Sequence, residues 1–83
     1  MEEILISIEV PSIQERYDIF APDDLQIGKL SEVLANGVRD LSNGRYGKSG
    51  KEMLMRLAPD RLLDPSKTLR DYGVGNGAHL MLL

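Results

Sequence analysis

Cysteine and tryptophan are absent from these 83 residues, and the chain holds a single phenylalanine and a single histidine. Without cysteine there is no disulfide framework, no thiolate nucleophile and no thiolate metal ligand, and the composition fits a reducing compartment. The lone histidine, His79, sits in an alternating apolar segment. An imidazole there normally faces solvent, so the chain offers little for general acid–base catalysis. Basic charge is also in short supply. Ten Lys and Arg against thirteen Asp and Glu leave a net charge of −3, the wrong sign for a phosphate-binding footprint, and nucleic acid is not an expected partner. No apolar run approaches the roughly 20 residues of a membrane span, and the start, Met1-Glu2-Glu3-Ile4, lacks the basic region of a signal peptide. These absences predict a cytoplasmic protein with no direct membrane insertion. If it works at a membrane, a partner must recruit it there.

What remains is enough for one core. The length suits one domain over residues 1–83, and a hydrophobic share of 42 % with 28 % charged residues lies far from the signature of disorder. Along the chain, Ile4, Ile6, Ile8 and Val10 alternate with Leu5, Ser7 and Glu9, the pattern of a half-buried strand. Pro11-Ser12-Ile13-Gln14 breaks it, and Tyr17, Ile19 and Ala21 then alternate with Asp18 and Phe20, which predicts an antiparallel hairpin with Phe20 on its outer face. Ile27, Leu30, Leu34, Val38 and Leu41 follow in steps of three and four, the stripe of the one long helix. Asp23 and Asp24 are expected to favour its positive end, and Asn43-Gly44 to close it. Gly28 and Gly37 weaken it by about 1 kcal/mol each relative to alanine.

A polar stretch from Ser42 to Glu52 reads as a mobile connection, after which alternation returns. Met53, Met55 and Leu57 face one way and Leu54, Arg56 and Ala58 the other, Pro59-Asp60 turns the chain, and Arg61-Leu62-Leu63 is briefly extended. Thr68 and Asp71 have the spacing of a capping box and predict one short helical turn, anchored by Leu69, Tyr72 and Val74. Gly73, Gly75 and Gly77 give the corner that follows access to positive φ, and Leu80 and Leu82 form the inner face of a final strand against His79, Met81 and Leu83. The order is two strands, a helix, one or two strands, a short turn and a strand.

Two glycine motifs echo nucleotide sites without matching them. Gly47-Lys48-Ser49 would need its first glycine at Ser42, and it lies between a helix and a strand, the reverse of a phosphate-binding loop. Gly73, Gly75 and Gly77 lack the dinucleotide spacing and run into a strand. Glu2-Glu3 and Asp23-Asp24 are sequence neighbours near element ends, better explained by solvation than as metal cages. No cofactor or metal site is expected.

The element order resembles that of ubiquitin-like β-grasp domains. The stretch Leu63-Asp64-Pro65-Ser66-Lys67-Thr68-Leu69-Arg70-Asp71-Tyr72 is similar to the run before the short helical turn of ubiquitin. The resemblance implies an α+β fold, a mixed sheet of four to five strands with one main helix packed across it and a short helical turn before the last strand. Within that superfamily, the ending from Tyr72 through Asn76-Gly77 to Leu83 resembles the YukD/EsaB proteins of type VII secretion loci. That likeness implies a non-catalytic interaction module, a cytoplasmic accessory component of a bacterial (ESX/Yuk-like) secretion system. Its partners would be proteins, among them membrane-embedded or ATPase components, and homo-oligomerisation stays open. The sequence ends at Leu83 without the Gly-Gly tail that conjugation requires. The alternative reading is a ubiquitin-like modifier or a sulfur carrier whose tail is not part of this chain.

The expected partner surface is the outer sheet face. Alignment with ubiquitin puts Arg56 where the recognition patch has its central isoleucine, and Leu5, Leu54, Met81, Leu83 and His79 are expected around it. An apolar centre with polar neighbours often marks a protein contact. A second, weaker candidate is the basic loop Arg45, Tyr46, Lys48 and Lys51, where cations and a stacking tyrosine would meet phosphate or an acidic partner.

Overall fold

Alternation in the first strand decides which side of the sheet is buried. In a computed structural model that describes residues 3–57 and 60–83, strand β1 (Glu3–Val10) buries Ile4, Ile6, Ile8 and Val10 on one face. A 3-10 turn over Pro11–Ile13 and a left-handed Gln14 lead into β2 (Glu15–Pro22), which pairs antiparallel with β1 from Val10↔Glu15 to Glu3↔Pro22. Helix α1 (Ile27–Leu41) crosses the buried face, followed by β3 (Leu54–Arg56), β4 (Arg61–Leu62), a 3-10 turn over Arg70–Tyr72 and β5 (Ala78–Leu82). The sheet order is β2-β1-β5-β3-β4, with β1 and β5 parallel at the centre and every other pair antiparallel. This is the ubiquitin-like β-grasp arrangement that the sequence resembled. Met1, Glu2, Ala58 and Pro59, the last of these part of the turn expected at Pro59-Asp60, lie outside the described residues.

The helix stripe buries Ile27, Leu30, Leu34 and Val38 against Ile6, Ile8, Leu69 and Leu80 in one core. Leu41 does not join it. As the last helical residue, it stands beside the open edge of β2 and is 59 % exposed.

The helix start differs from expectation in an informative way. Neither aspartate caps it: the residue before the first turn is Gln26, which makes no side-chain cap bond. Ile27 N–H donates instead to the Lys67 carbonyl at 2.8 Å and Gly28 N–H to the Pro65 carbonyl at 2.9 Å, so the segment before β5 satisfies donors that a cap would otherwise serve. Asp23 is turned to another use. Its carboxylate, with only 10 % of the side chain exposed, pairs with the Arg70 guanidinium at 2.8 Å, while its carbonyl accepts from Arg70 N–H. These bonds fasten the helix entrance to the 3-10 turn.

That close approach explains one helix glycine. A Cβ on Gly28 would lie 3.2 Å from Pro65 Cβ, whereas one on Gly37 would meet nothing within 4 Å. Gly37→Ala is therefore expected to raise stability by about 0.5–1 kcal/mol through helix propensity and a less flexible unfolded chain. Gly28→Ala should gain less, because the proline must give way. Urea unfolding of the two variants measures the difference, and an equal gain at both positions would remove the packing role of Gly28.

The opening of the last strand follows its capping signal. Thr68 Oγ1 accepts from Asp71 N–H at 3.1 Å and Asp71 Oδ2 accepts from Thr68 N–H at 3.0 Å, the reciprocal pair of a capping box. In the corner beyond, Gly73 and Gly77 adopt φ of 67° and 85°. Gly75 does not need positive φ, a correction to the expectation for all three. Asn76 between them accepts from Leu5 N–H at 2.7 Å, which ties the corner to β1.

Candidate functional site: the outer sheet face

Strand register sorts the outward residues into rows. One row runs Asp18, Ser7, His79 and Leu57, the last reached through the Leu57 N–H to His79 carbonyl bond. The next runs Arg16, Glu9, Met81, Met55 and Leu62. Beyond it, Leu83 and Met53 exchange two backbone bonds of 2.9 and 3.0 Å. At the opposite corner Leu5 pairs with Phe20, which is 66 % exposed.

The face is therefore divided. Its β1–β2 half is polar apart from the Leu5–Phe20 corner, with Glu9 and Arg16 joined at 3.0 Å. Its β3–β5 half is apolar: Met53, Leu62 and Leu83 are each between 44 and 49 % exposed, and Met55 and Met81 are half-buried between them. Polar and apolar halves side by side are what a specific protein contact uses, an apolar centre to exclude water and charges at the rim to orient.

Of the residues expected on this face, His79, Met81 and Leu83 are there and Leu5 is exposed, but Leu5 lies two rows from Met81, across polar Ser7 and Glu9. Leu54 is not on it. Its Cα partner is Leu82, and both are buried in the core. Arg56 shares that inner parity, opposite buried Leu80, and its guanidinium turns at the sheet end to donate to the Tyr72 carbonyl at 3.2 Å. The two faces of β3 are thus the reverse of those expected. The reason is chemical: in Met53-Leu54-Met55 every residue is apolar, and only the pairing with β5 settles which one turns inward. Met53, Met55 and Leu57 are outward residues that the sequence had placed on the other face, and Leu62 on the short strand β4 joins them.

The basic loop is largely engaged with its own protein. Arg45 donates to the Ile13 carbonyl at 3.0 Å and pairs with Glu15 at 3.6 Å, and Lys48 donates to Asn36 at 2.9 Å. Tyr46 is 6 % exposed, so its ring is not free to stack on a ligand, and burial, reinforced by the charge of Glu52, pushes its phenol up to about 12. Lys51 alone of the four has an exposed side chain with no bonded partner among the described residues.

At the centre of this loop is Glu52. Its carboxylate accepts from Ser49 N–H at 2.6 Å, Ser49 Oγ at 3.1 Å, Gly50 N–H at 3.1 Å and the Tyr46 hydroxyl at 3.2 Å. The backbone donors that a phosphate would need around Gly47-Lys48-Ser49 are thus taken by an internal anion. Burial opposes ionisation of Glu52, but these donors outweigh it and hold its carboxyl below the usual glutamate range. The stability this supplies is full above the pH at which an unfolded-chain glutamate titrates, and it is lost as pH falls through the lower, folded value. The Ser49 and Gly50 amide resonances should therefore titrate with a midpoint below the ordinary 4.5. Glu52→Gln should abolish that titration, and a midpoint at or above 4.5 would contradict the loop geometry.

The comparisons with known proteins bear on this geometry. Residues 5–82 match the family described as WXG100 protein secretion system (Wss), protein YukD. The chain belongs to the YukD family. Solved structures agree with the fold. The ubiquitin-like domain of the Mycobacterium tuberculosis type VII secretion system protein ECCD1 superposes with a TM-score of 0.76 at 15 % identity, covering 100 % of this chain and 99 % of that one. The ubiquitin-like domain of PLXNC1 gives 0.78 at 12 % identity over 99 % and 98 % of the two chains. Caldiarchaeum subterraneum ubiquitin gives 0.67 at 16 % identity over 98 % and 91 %. At these identities the structures speak for the fold alone. A search of curated proteins finds no significant match. Membership of YukD ties this ubiquitin-like module to type VII secretion. Among the described residues, no cluster of His, Asp and Glu is arranged to hold a metal ion, and no helix is long and apolar enough to cross a membrane.

Proposed function

We propose that this YukD-family protein is a non-catalytic, cytoplasmic docking component of its secretion apparatus, and that it binds a protein of that apparatus through the β3–β5 half of its outer sheet face. The observation that carries the reading is the exposed apolar cluster of Met53, Met55, Leu62, Met81 and Leu83, set beside the Glu9–Arg16 pair. A folded chain of this size has little reason to leave so many large side chains together in water unless something covers them. Family membership supports the setting, and the ubiquitin-like domain within ECCD1 supports a β-grasp module working as part of a secretion protein. The partner is then a membrane-embedded or ATPase component, which would hold the protein at the inner face of the membrane.

The test is capture. Immobilised protein should retain components of its own apparatus from detergent-solubilised membranes, identified by mass spectrometry. Retention of none of them would overturn the reading.

A further inference from the structure

The sheet has a second unpartnered feature, away from the outer face. Strand β2 is terminal in the sheet order and pairs only with β1. Among the described residues, the backbone of Glu15–Pro22 makes no other hydrogen bond, so one row of its N–H and C=O groups is open. Eight residues is long for an unprotected edge, since such edges are normally shortened, bulged or covered. Beside this edge, between β2 and α1, runs a groove of about 350 Å³. Its walls are Ile19 and Ala21 from the strand and Val33, Leu34 and Gly37 from the helix. Val33 is 51 % exposed, and the absence of a side chain at Gly37 keeps the floor open. The single charged residue in the lining is Asp40, whose carboxylate has no ion-pair or hydrogen-bond partner among the described residues.

We propose that this edge and groove receive an extended segment of a partner protein as an added strand, with small apolar side chains at alternate positions and a lysine or arginine beside Asp40. The open backbone row favours a strand over a helix, because only a strand satisfies those groups while it lays alternate side chains into the groove. The charge of the groove argues against a second copy. The β2 strand of another molecule carries Glu15, Tyr17, Ile19 and Ala21 on its groove side. Those residues include one acid and no cation to meet Asp40. The site is distinct from the outer face, so the two surfaces can engage different segments.

The probe is a blocked synthetic peptide, Lys-Thr-Val-Thr-Val-Thr-Lys, which presents valines and both lysines on one side in either strand direction. Titrated into the labelled full chain, it should shift the amide resonances of Tyr17 to Ala21 and Val33 to Leu41 in a saturable way. The variant Asp40→Lys should weaken it about threefold or more, the scale of one exposed ion pair, and should bind better the peptide with glutamates in place of the lysines. Val33→Glu, at an exposed position that does not threaten the fold, should abolish binding. The proposal is overturned if no saturable shift occurs. It is equally overturned if the shifts fall on His79 and Met81, if wild-type protein binds the two peptides equally, or if the free protein is already a dimer with the β2 amides protected.

Discussion

Leu80→Ala is expected to lower stability by about 2–5 kcal/mol. Leu80 has no exposed surface, and β5 is held between β1 and β3, so Ile8 and Arg56 are its register partners on the two sides. A side chain in the middle of the middle strand cannot be replaced by collapse from the edge, because both neighbouring strands are fixed by their own ladders. The loss therefore includes a cavity term as well as the transfer of the missing methylenes. Small domains hold a net stability of about 5–15 kcal/mol, so the variant should unfold at visibly lower urea with an unchanged slope. Met81→Ala on the other face of the same strand is the control, with an expected loss well under that of Leu80→Ala. Equal losses would mean that the two faces of β5 are not distinguished as described.

How much of this was legible in advance depended on whether a residue's fate is set by its neighbours in sequence or by a distant strand. The β1 faces, the helix stripe up to Val38 and the Thr68–Asp71 box rest on spacings of two to four residues, and they were readable. The helix entrance was not. Asp23 and Asp24 look like dipole-compensating residues, but the carbonyls of Pro65 and Lys67 serve Ile27 and Gly28, and Asp23 binds Arg70, 47 positions away. Nothing in the local sequence announces those pairings. For the candidate site the same division holds. His79, Met81 and Leu83 follow from alternation behind the buried Leu80 and Leu82, whereas the facing of Leu54 and Met55 was decided by the register of β3 on β5. Tyr46 shows a further limit: a tyrosine among glycines and cations reads as surface, yet its ring packs into the core cluster while its hydroxyl donates to the Glu52 carboxylate inside the loop.

Met81→Asp is expected to weaken capture of the secretion partner about thirty-fold or more, the equivalent of losing a hot spot of ~2 kcal/mol. Met81 stands between Glu9 on β1 and Met55 on β3, at the border of the polar and apolar halves of the outer face. A carboxylate there would have to be desolvated inside the contact, and it would add a second negative charge next to Glu9. The fold should survive, because the Met81 side chain is half exposed on the sheet face away from the helix. An unchanged urea midpoint checks this. Leu5→Asp provides the spatial control. Leu5 is paired with Phe20 at the far corner, beyond Ser7 and Asp18, so its replacement should reduce capture little. The pattern that would move the contact to the Leu5–Phe20 corner is the inverse one, with capture lost in Leu5→Asp and kept in a folded Met81→Asp. Losing both would enlarge the surface to the whole outer face, and losing neither would remove it, leaving the β2 edge as the surface through which this protein meets its apparatus.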